Sequence, residues 1–388
     1  MRIGILTGGG DVPGLNSVIK SVVYRSSEHS HEALGIRRGW RGLTHVRTGA
    51  ELDREHLQPL DRSNTRTIDR TGGTVLHTSR TNPRRMREDR LPPQLPREEA
   101  ARYRQADGTY DLTPLVLRNL EALGIDHLFA IGGDDTLSFA QVLADMGFPV
   151  IGIPKTMDND VQGTEYCIGF STAITRAMEV IDRMRTTLGS HERIGIFRIF
   201  GRDAGFSALH TAYVTSGRCL IPEAPFDLDH LIQILVEDKR LNPSRYAFVI
   251  AAEGAMWRGG SLPEVGEPDA FGHRKKADIG SALAAEIQRR ASEDAIVSEL
   301  TYELRSGDPD AFDQRVATTF ANIAVDVMLE GISGRMVAIR DGKFTHTALP
   351  DPKLGARKVD VARQYDTERL RPRYAGRLGF SLFLESTG

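Results

Sequence analysis

His127-Leu128-Phe129-Ala130-Ile131-Gly132-Gly133-Asp134-Asp135-Thr136 is the stretch on which the fold turns. A short, mostly apolar run that stops in two glycines and two acids reads as a buried strand ending in a polar loop. About twenty positions later the pattern returns, with Pro149-Val150-Ile151-Gly152-Ile153 leading into Pro154-Lys155-Thr156-Met157-Asp158-Asn159-Asp160. Open parallel sheets bind ligands at the carboxyl ends of their strands. Two neighbouring strand ends of this kind offer one crevice four carboxylates, a lysine and glycine backbone. Moving a phosphoryl group with a metal ion needs such parts: a carboxylate for the metal, a cation for phosphate, and a carboxylate to deprotonate an alcohol.

The flanking sequence repeats the strand–loop–helix pattern. Ile3-Gly4-Ile5-Leu6 predicts a strand, Gly8-Gly9-Gly10-Asp11 a turn, and the apolar period through Val18, Ile19, Val22 and Val23 a helix. Thr113 as N-cap and Pro114 at the first helical position predict a helix that ends at Gly124. Helices are expected over 136–146, over 171–188 (begun by Ser171-Thr172, stopped by Gly189) and over 206–215. Others are expected over 228–239 behind an Asp227 cap, over 279–289 and over 318–330. Strands are expected over 193–200, 219–221 and 246–252, and the Arg- and Pro-rich stretch 84–111 reads as a surface insertion with some helix. Near-continuous alternation of strand and helix predicts an α/β protein with largely parallel sheets flanked by helices.

Composition excludes several classes. The chain has 388 residues, 40% hydrophobic and 26% charged, with a formal net charge of −2. That balance supplies no general attraction to nucleic acid or to an acidic membrane. No apolar window has the length of a membrane span. The first residues run straight into a strand, so no signal peptide is expected. Cys167 and Cys219 are the only cysteines, which argues against a disulfide scaffold or a cysteine zinc site and fits a reducing cytoplasm.

Each motif has a plainer alternative. Gly8-Gly9-Gly10-Asp11 is either a phosphate-binding turn or simply a tight turn. Arg80, after Arg70-Thr71-Gly72-Gly73-Thr74, either reaches a phosphate or is a solvated loop arginine. Asp134 is a natural ligand for magnesium, which takes one or two carboxylates plus substrate phosphates, while Asp135 is also placed to cap the following helix. Asp158 and Asp160 share a side of an extended segment, one to act as base and one to support metal, or they form an Asx turn. Arg193, Arg202 and Arg305 are either sugar-phosphate ligands or ordinary surface arginines.

In this order the motifs resemble the phosphofructokinase family, from Ile3 to about Gly342. The resemblance rests on Gly9-Gly10-Asp11-Val12-Pro13-Gly14-Leu15-Asn16, Gly132-Gly133-Asp134-Asp135-Thr136 and Pro154-Lys155-Thr156-Met157-Asp158-Asn159-Asp160. Phe200-Gly201-Arg202-Asp203-Ala204-Gly205 and Ala252-Glu253-Gly254 complete it. It implies two α/β lobes with the active site between them, and a homodimer or homotetramer. Residues 1–170 with about 310–345 would form the phosphoryl-donor lobe, carrying the insertion. Residues 171–309 with about 346–388 would form the sugar-phosphate lobe and a C-terminal extension. It further implies Mg2+ on Asp134 and Asp158 as the base for the C1 hydroxyl of fructose 6-phosphate. Gly9, Arg80, Asp135 and Lys155 fall at the donor. Thr156, Asp160, Arg193, Phe200, Gly201, Arg202, Glu253, Tyr302 and Arg305 fall at the sugar phosphate.

ATP-using bacterial members typically carry glycine at the positions of Asp135 and Lys155. An aspartate fills the space an α-phosphate would use and repels it, and a lysine adds a cation beside the transferring phosphates. The pair therefore resembles the pyrophosphate-dependent branch, with a reaction usable in both directions. An ATP-dependent member, and a non-catalytic regulatory subunit or sugar-phosphate sensor, are the alternatives. Some positions depart from the family. Phe200 replaces a usual Met, Leu304 and Ser306 interrupt the motif around Arg305, and Ile296 stands where many members lend an arginine to a neighbouring subunit. Lys20 and Tyr24 replace two effector-binding arginines, which predicts weak or no control by nucleotides.

Overall fold

The computed structural model describes residues 1–49, 51–260, 264–265, 275–276 and 278–376. The first half contains β1 (Arg2–Thr7), α1 (Leu15–Glu28), β2 (Glu32–Ile36), β3 (Leu57–Leu60), α2 (Thr113–Ala122), β4 (His127–Gly132), α3 (Asp134–Asp145) and β5 (Val150–Pro154). Next come α4 (Phe170–Ser190), β6 (Ile194–Ile199), α5 (Phe206–Thr215), β7 (Arg218–Leu220), α6 (Leu228–Leu241) and β8 (Ala247–Ala252). The last group is α7 (Ile279–Ala291), β9 (Ala295–Leu300), α8 (Ala311–Leu329), β10 (Arg335–Arg340) and β11 (Lys343–Ala348).

Two sheets carry the molecule. The first has the order β11-β10-β5-β4-β1-β2-β3, parallel except for the antiparallel strands β3 and β11 at its edges. The second has the order β9-β6-β8-β7 and is wholly parallel. β4, β5 and β8 are buried at every residue, as strands covered on both faces must be. Alternation decides which layer each side chain joins. Ile3, Ile5, Phe129, Ile131, Ile151 and Ile153 enter one core, whereas Leu6, Leu128, Ala130 and Val150 enter the other. The first of these cores continues through Phe170, Ala177 and Ile181 of α4 to Ile194, Ile196, Val249 and Ile250 of the second sheet. The sheets are thus joined by packed apolar side chains.

Residues 335–348 return to the first sheet, although their sequence follows the whole of the second. The C-terminal segment packs on the second sheet, where the Cys219 amide donates to Leu370 O (2.8 Å) and the Tyr365 hydroxyl to Cys219 O (2.7 Å). Positions 377–388 of the expected extension lie outside the described residues. Cys167 and Cys219 are buried free thiols, and among the described residues no helix is long and apolar enough to cross a membrane.

Several helix ends differ from expectation. α2 begins at Thr113 itself, because Asp111 Oδ1 accepts from the Thr113 amide (2.9 Å) and so starts the turn one step earlier. α4 starts at Phe170 after Gly169, and Gly189 lies inside it. Ser171 and Thr172 do not cap it, for their hydroxyls donate to Asp310 and Asp313. α8 starts seven residues before Thr318, at Ala311, where Asp310 accepts from the Asp313 amide (2.8 Å). The predicted Asp227 cap of α6 is present, accepting from the His230 amide (2.8 Å). The 84–111 stretch does hold some helix, at Arg97–Ala101, with short turns at Pro83–Arg85 and Glu88–Arg90, and Met86, Ala100, Tyr110, Leu112 and Leu115 form a small apolar cluster there.

Asp313 ties α8 to the chain before α4. Its buried carboxylate accepts from the Tyr166 hydroxyl (2.7 Å), the Gly169 and Thr172 amides (both 2.8 Å) and the Thr172 hydroxyl (2.6 Å). Removing this acceptor leaves several buried donors without partners. Asp313→Ala is expected to lower unfolding free energy by about 3 kcal/mol or more, measured by denaturant titration. A loss under about 1 kcal/mol would show that water replaces the carboxylate.

Candidate active site

Six loops leave the carboxyl ends of β1, β4, β5, β6, β8 and β9 and meet in one crevice between the sheets. On the first sheet the Gly8 amide donates to Ile131 O (2.9 Å), the Lys155 amide to Gly132 O (2.9 Å) and the Gly9 amide to Ser79 O (3.1 Å). On the second, the Gly254 amide donates to Gly201 O (3.0 Å). Contacts across the gap include Arg305 to Asp11 (3.8 Å) and the Ser207 hydroxyl to Met157 O (2.9 Å).

The glycines of the decisive motif have a steric cause. A Cβ at Gly132 would fall 2.3 Å from Thr136 Cβ, and one at Gly8 would fall 2.5 Å from Thr136 Oγ1. The buried threonine therefore needs glycine on both adjoining turns. Likewise, a Cβ at Gly72 would lie 1.8 Å from Gly307 O, so the Arg70–Thr74 loop and the Arg305 loop can touch only through glycine.

Asp134 and Asp135 form the first turn of α3, where negative charge is favoured by the helix dipole. No side chain caps this helix: Gly133 is the N-cap, so the capping alternative for Asp135 does not apply. Lys155 is 3% exposed and its Nζ donates to Gly10 O. A Cβ at Gly9 would lie 3.5 Å from that Nζ, and one at Gly10 would lie 2.9 Å from an Arg305 nitrogen and 4.0 Å from an Arg80 nitrogen. Lys155, Arg80, Arg305 and the glycine turn thus converge on one side of the crevice. Burial lowers Lys155 to about 8, and the Arg305 and Arg80 charges press the same way while Asp11 opposes them.

The other side is acidic. Burial raises Asp134 to about 8, helped by Asp160 and Asp135. Burial also raises Asp158 well above the carboxylate range, with Asp160 and Glu253 adding to it. Asp160 is raised by burial too. Asp134 Oδ1 and Asp158 Oδ1 are buried and accept no hydrogen bond. The Asp158 amide donates to Thr156 Oγ1 (3.1 Å), closing the turn that aims these acids.

The second sheet supplies Gly201, with φ 120°, Arg202 paired to Asp203 (2.8 Å), and Glu253. Phe200 packs under Arg305, whose guanidinium lies 5.4 Å from that ring and 4.6 Å from the ring of the exposed Tyr302. Arg193 is not in the crevice. It precedes β6 at its amino end, roughly 25 Å of strand from Gly201 at about 3.3 Å per residue, and faces Asp294 (3.8 Å). Its place at the start of the strand, eight residues before Gly201, by itself separates it from the loop at the strand's other end.

Three contributors were missed by the motifs. Arg198 holds Glu253 (3.7 Å) while pairing with Glu299 (3.0 Å) and Asp278 (3.6 Å). Arg357 and Lys358 reach the site from the C-terminal segment, donating to Asn159 O and Asp203 O respectively. Their stretch, Gly355-Ala356-Arg357-Lys358, has no local signal of function. Among the described residues, one group of three potential metal ligands within reach of each other lies elsewhere, at Asp53, Glu55 and His56. There Asp53 is already occupied by the Arg47 amide and by His56.

Comparisons with known proteins give the family. The sequence model described as Phosphofructokinase matches residues 2–328. The chain belongs to the phosphofructokinase family. It is 36% identical over 371 residues to the ATP-dependent 6-phosphofructokinase 3 of Streptomyces coelicolor, covering 95% of this chain and 99% of that one. It is 37% identical over 371 residues to the pyrophosphate–fructose 6-phosphate 1-phosphotransferase of Amycolatopsis methanolica, with the same coverages of 95% and 99%. In fold it matches the solved pyrophosphate-dependent phosphofructokinase of Marinobacter aquaeolei, with a TM-score of 0.73 at 18% identity over 97% of this chain and 90% of that one. This phosphofructokinase is therefore an enzyme that phosphorylates fructose 6-phosphate, and relatives of nearly equal similarity are named for different donors.

The buried acids make a stability prediction. Asp134 keeps its proton to about 8 in the folded chain, against 3.8 for the ordinary group. The folded state thus binds more protons between those values, and stability falls as pH rises through that window. Asp134→Asn has no proton to lose. In metal-free buffer its melting temperature is expected to rise relative to the parent chain from pH 4 to pH 8, then level off. A pH-independent difference would mean that burial does not penalise this carboxylate.

Proposed function

We propose that this phosphofructokinase takes its phosphoryl group from pyrophosphate. The observation that carries the reading is the pair Asp135 and Lys155. Lys155 is buried against the glycine turn, with Arg80 and Arg305 close to the same turn. Asp135 stands beside Asp134 in the first turn of α3. A compact, densely charged donor gains from the buried cation. A nucleotide would have to run its α-phosphate past the added aspartate.

In this reading fructose 6-phosphate lies against Arg202, Glu253, Gly201, Phe200, Tyr302 and Arg305, with Thr156 and Asp160 nearer its C1 end. Asp158 takes the proton from O1 as O1 attacks the terminal phosphorus, the bond to the bridging oxygen breaks, and orthophosphate leaves. Burial raises its pKa, so the carboxylate is a stronger base once it is ionised. Lys155, Arg80 and the amides of Gly8 to Gly10 stabilise charge that spreads over the transferred group. Mg2+ would be held by Asp134, with Asp160 supporting it, and would neutralise phosphate charge when bound. The residues fit such an ion, because Asp134 Oδ1 is a buried oxygen without a partner among crowded carboxylates. Arg193 can serve only the crevice of another copy, as a homodimer or homotetramer would allow.

Purified protein assayed with each donor tests the choice: turnover with pyrophosphate should exceed that with ATP by orders of magnitude, and equal turnover would sink the proposal. Replacing both Asp135 and Lys155 by glycine should lower pyrophosphate turnover sharply. Asp158→Ala should lower kcat by about two to four orders of magnitude with either donor, and a near-normal rate would exclude it as the base.

A further inference from the structure

We propose that Arg357 is a positioning residue for phosphoryl transfer, and that Arg357-Lys358-Val359 is a strap tying the catalytic turn after β5 to the sugar-phosphate loop after β6. The inference rests on the reading of Asp158 and Asp160 given above. It extends that reading to a segment to which none of the family motifs extends.

Arg357 is 8% exposed, and holds two consecutive carbonyls of the catalytic turn. Its amide donates to Asp160 O (2.7 Å), and its guanidinium donates to Asn159 O and to Glu165 O (3.4 Å). The guanidinium also lies 4.4 Å from the centre of the Phe206 ring, at the start of α5. Asn159 is left-handed, with φ 53°, a conformation that asparagine tolerates better than most residues. The asparagine side chain fastens the turn from within, accepting from the Cys167 amide (2.7 Å) and donating to Glu165 O (3.0 Å).

The next two residues grip the other loop. Lys358 Nζ donates to Asp203 O. The Val359 amide donates to Glu223 Oε1 (3.0 Å), the same oxygen that accepts from the Gly205 amide (3.0 Å). Three consecutive residues therefore bridge loops that leave different sheets. A guanidinium and an amide that hold both carbonyls fix where the flanking acids stand. Misplacing reacting groups by about 1 Å can cost on the order of 100-fold in rate.

The test uses the full chain, with Arg357→Met (charge removed), Arg357→Lys (charge kept, fork lost) and Lys358→Ala. Each is assayed with pyrophosphate and with ATP, and each is followed by thermal unfolding. Arg357→Met is expected to lower kcat by about 10- to 100-fold while KM for fructose 6-phosphate changes less than about three-fold. Arg357→Lys, whose ammonium can still donate to a carbonyl of the turn, is expected to recover part of the loss, and Lys358→Ala to lower kcat by about three- to ten-fold. A folded Arg357→Met with kcat within two-fold of the parent overturns the proposal. So does a loss in that variant that Arg357→Lys does not relieve. If Arg357→Met does not fold, the decision passes to Lys358→Ala, where an unchanged kcat overturns the strap. Running both donors separates the two failures. A wrong donor shows as ATP turnover by the parent chain, whereas a wrong strap shows as variants equal to the parent with whichever donor works.

Discussion

Like charge held at close quarters out of water is the constraint on which this structure depends. Asp134, Asp158 and Asp160 come from two neighbouring strand ends, and Asp203 and Glu253 come from the other sheet. Burial and mutual repulsion favour their protonated forms, as the upward shifts of the first three record. A fold that keeps such a group must oppose its dispersal. It does so with Arg198 against Glu253, Arg202 against Asp203 and Arg357 beneath the catalytic turn.

The parallel topology makes the crevice possible. Adjacent parallel strands end on the same side, so each added strand brings another loop to the same rim. The apolar core running from the first sheet through α4 to the second holds the two rims in register. The Asp313 hub fastens α8 to the chain entering α4. The first sheet supplies charge of both signs, and its loops sort them within the crevice. The cations Lys155 and Arg80 gather by the β1 turn, whereas the acids gather toward β5, β6 and β8.

Much of this was legible in the chain because its carriers are local. A strand that ends in Gly-Gly-Asp-Asp-Thr reports its own loop, since Gly132 is demanded by Thr136 only four residues away. The Asp227 cap was readable for the same reason. Helix starts were misjudged where the capping group was not the obvious one, as at Asp111 before α2 and Asp310 before α8. The Ser171-Thr172 pair looked like a cap and instead serves acids more than 130 positions away.

By itself the sequence determined the alternation of strands and helices, the polar loops at the strand ends and the residue types needed for phosphoryl transfer. Each of these is written within a few residues, as periodicity, turn chemistry or an adjacent pair. Only the tertiary structure decided which of those residues share a crevice. Burial made Lys155 and the three aspartates depart from their ordinary protonation. The chain's return placed Arg357 under Asn159, 198 positions earlier. Proximity across such separations is set by packing, and no local pattern of residues encodes it.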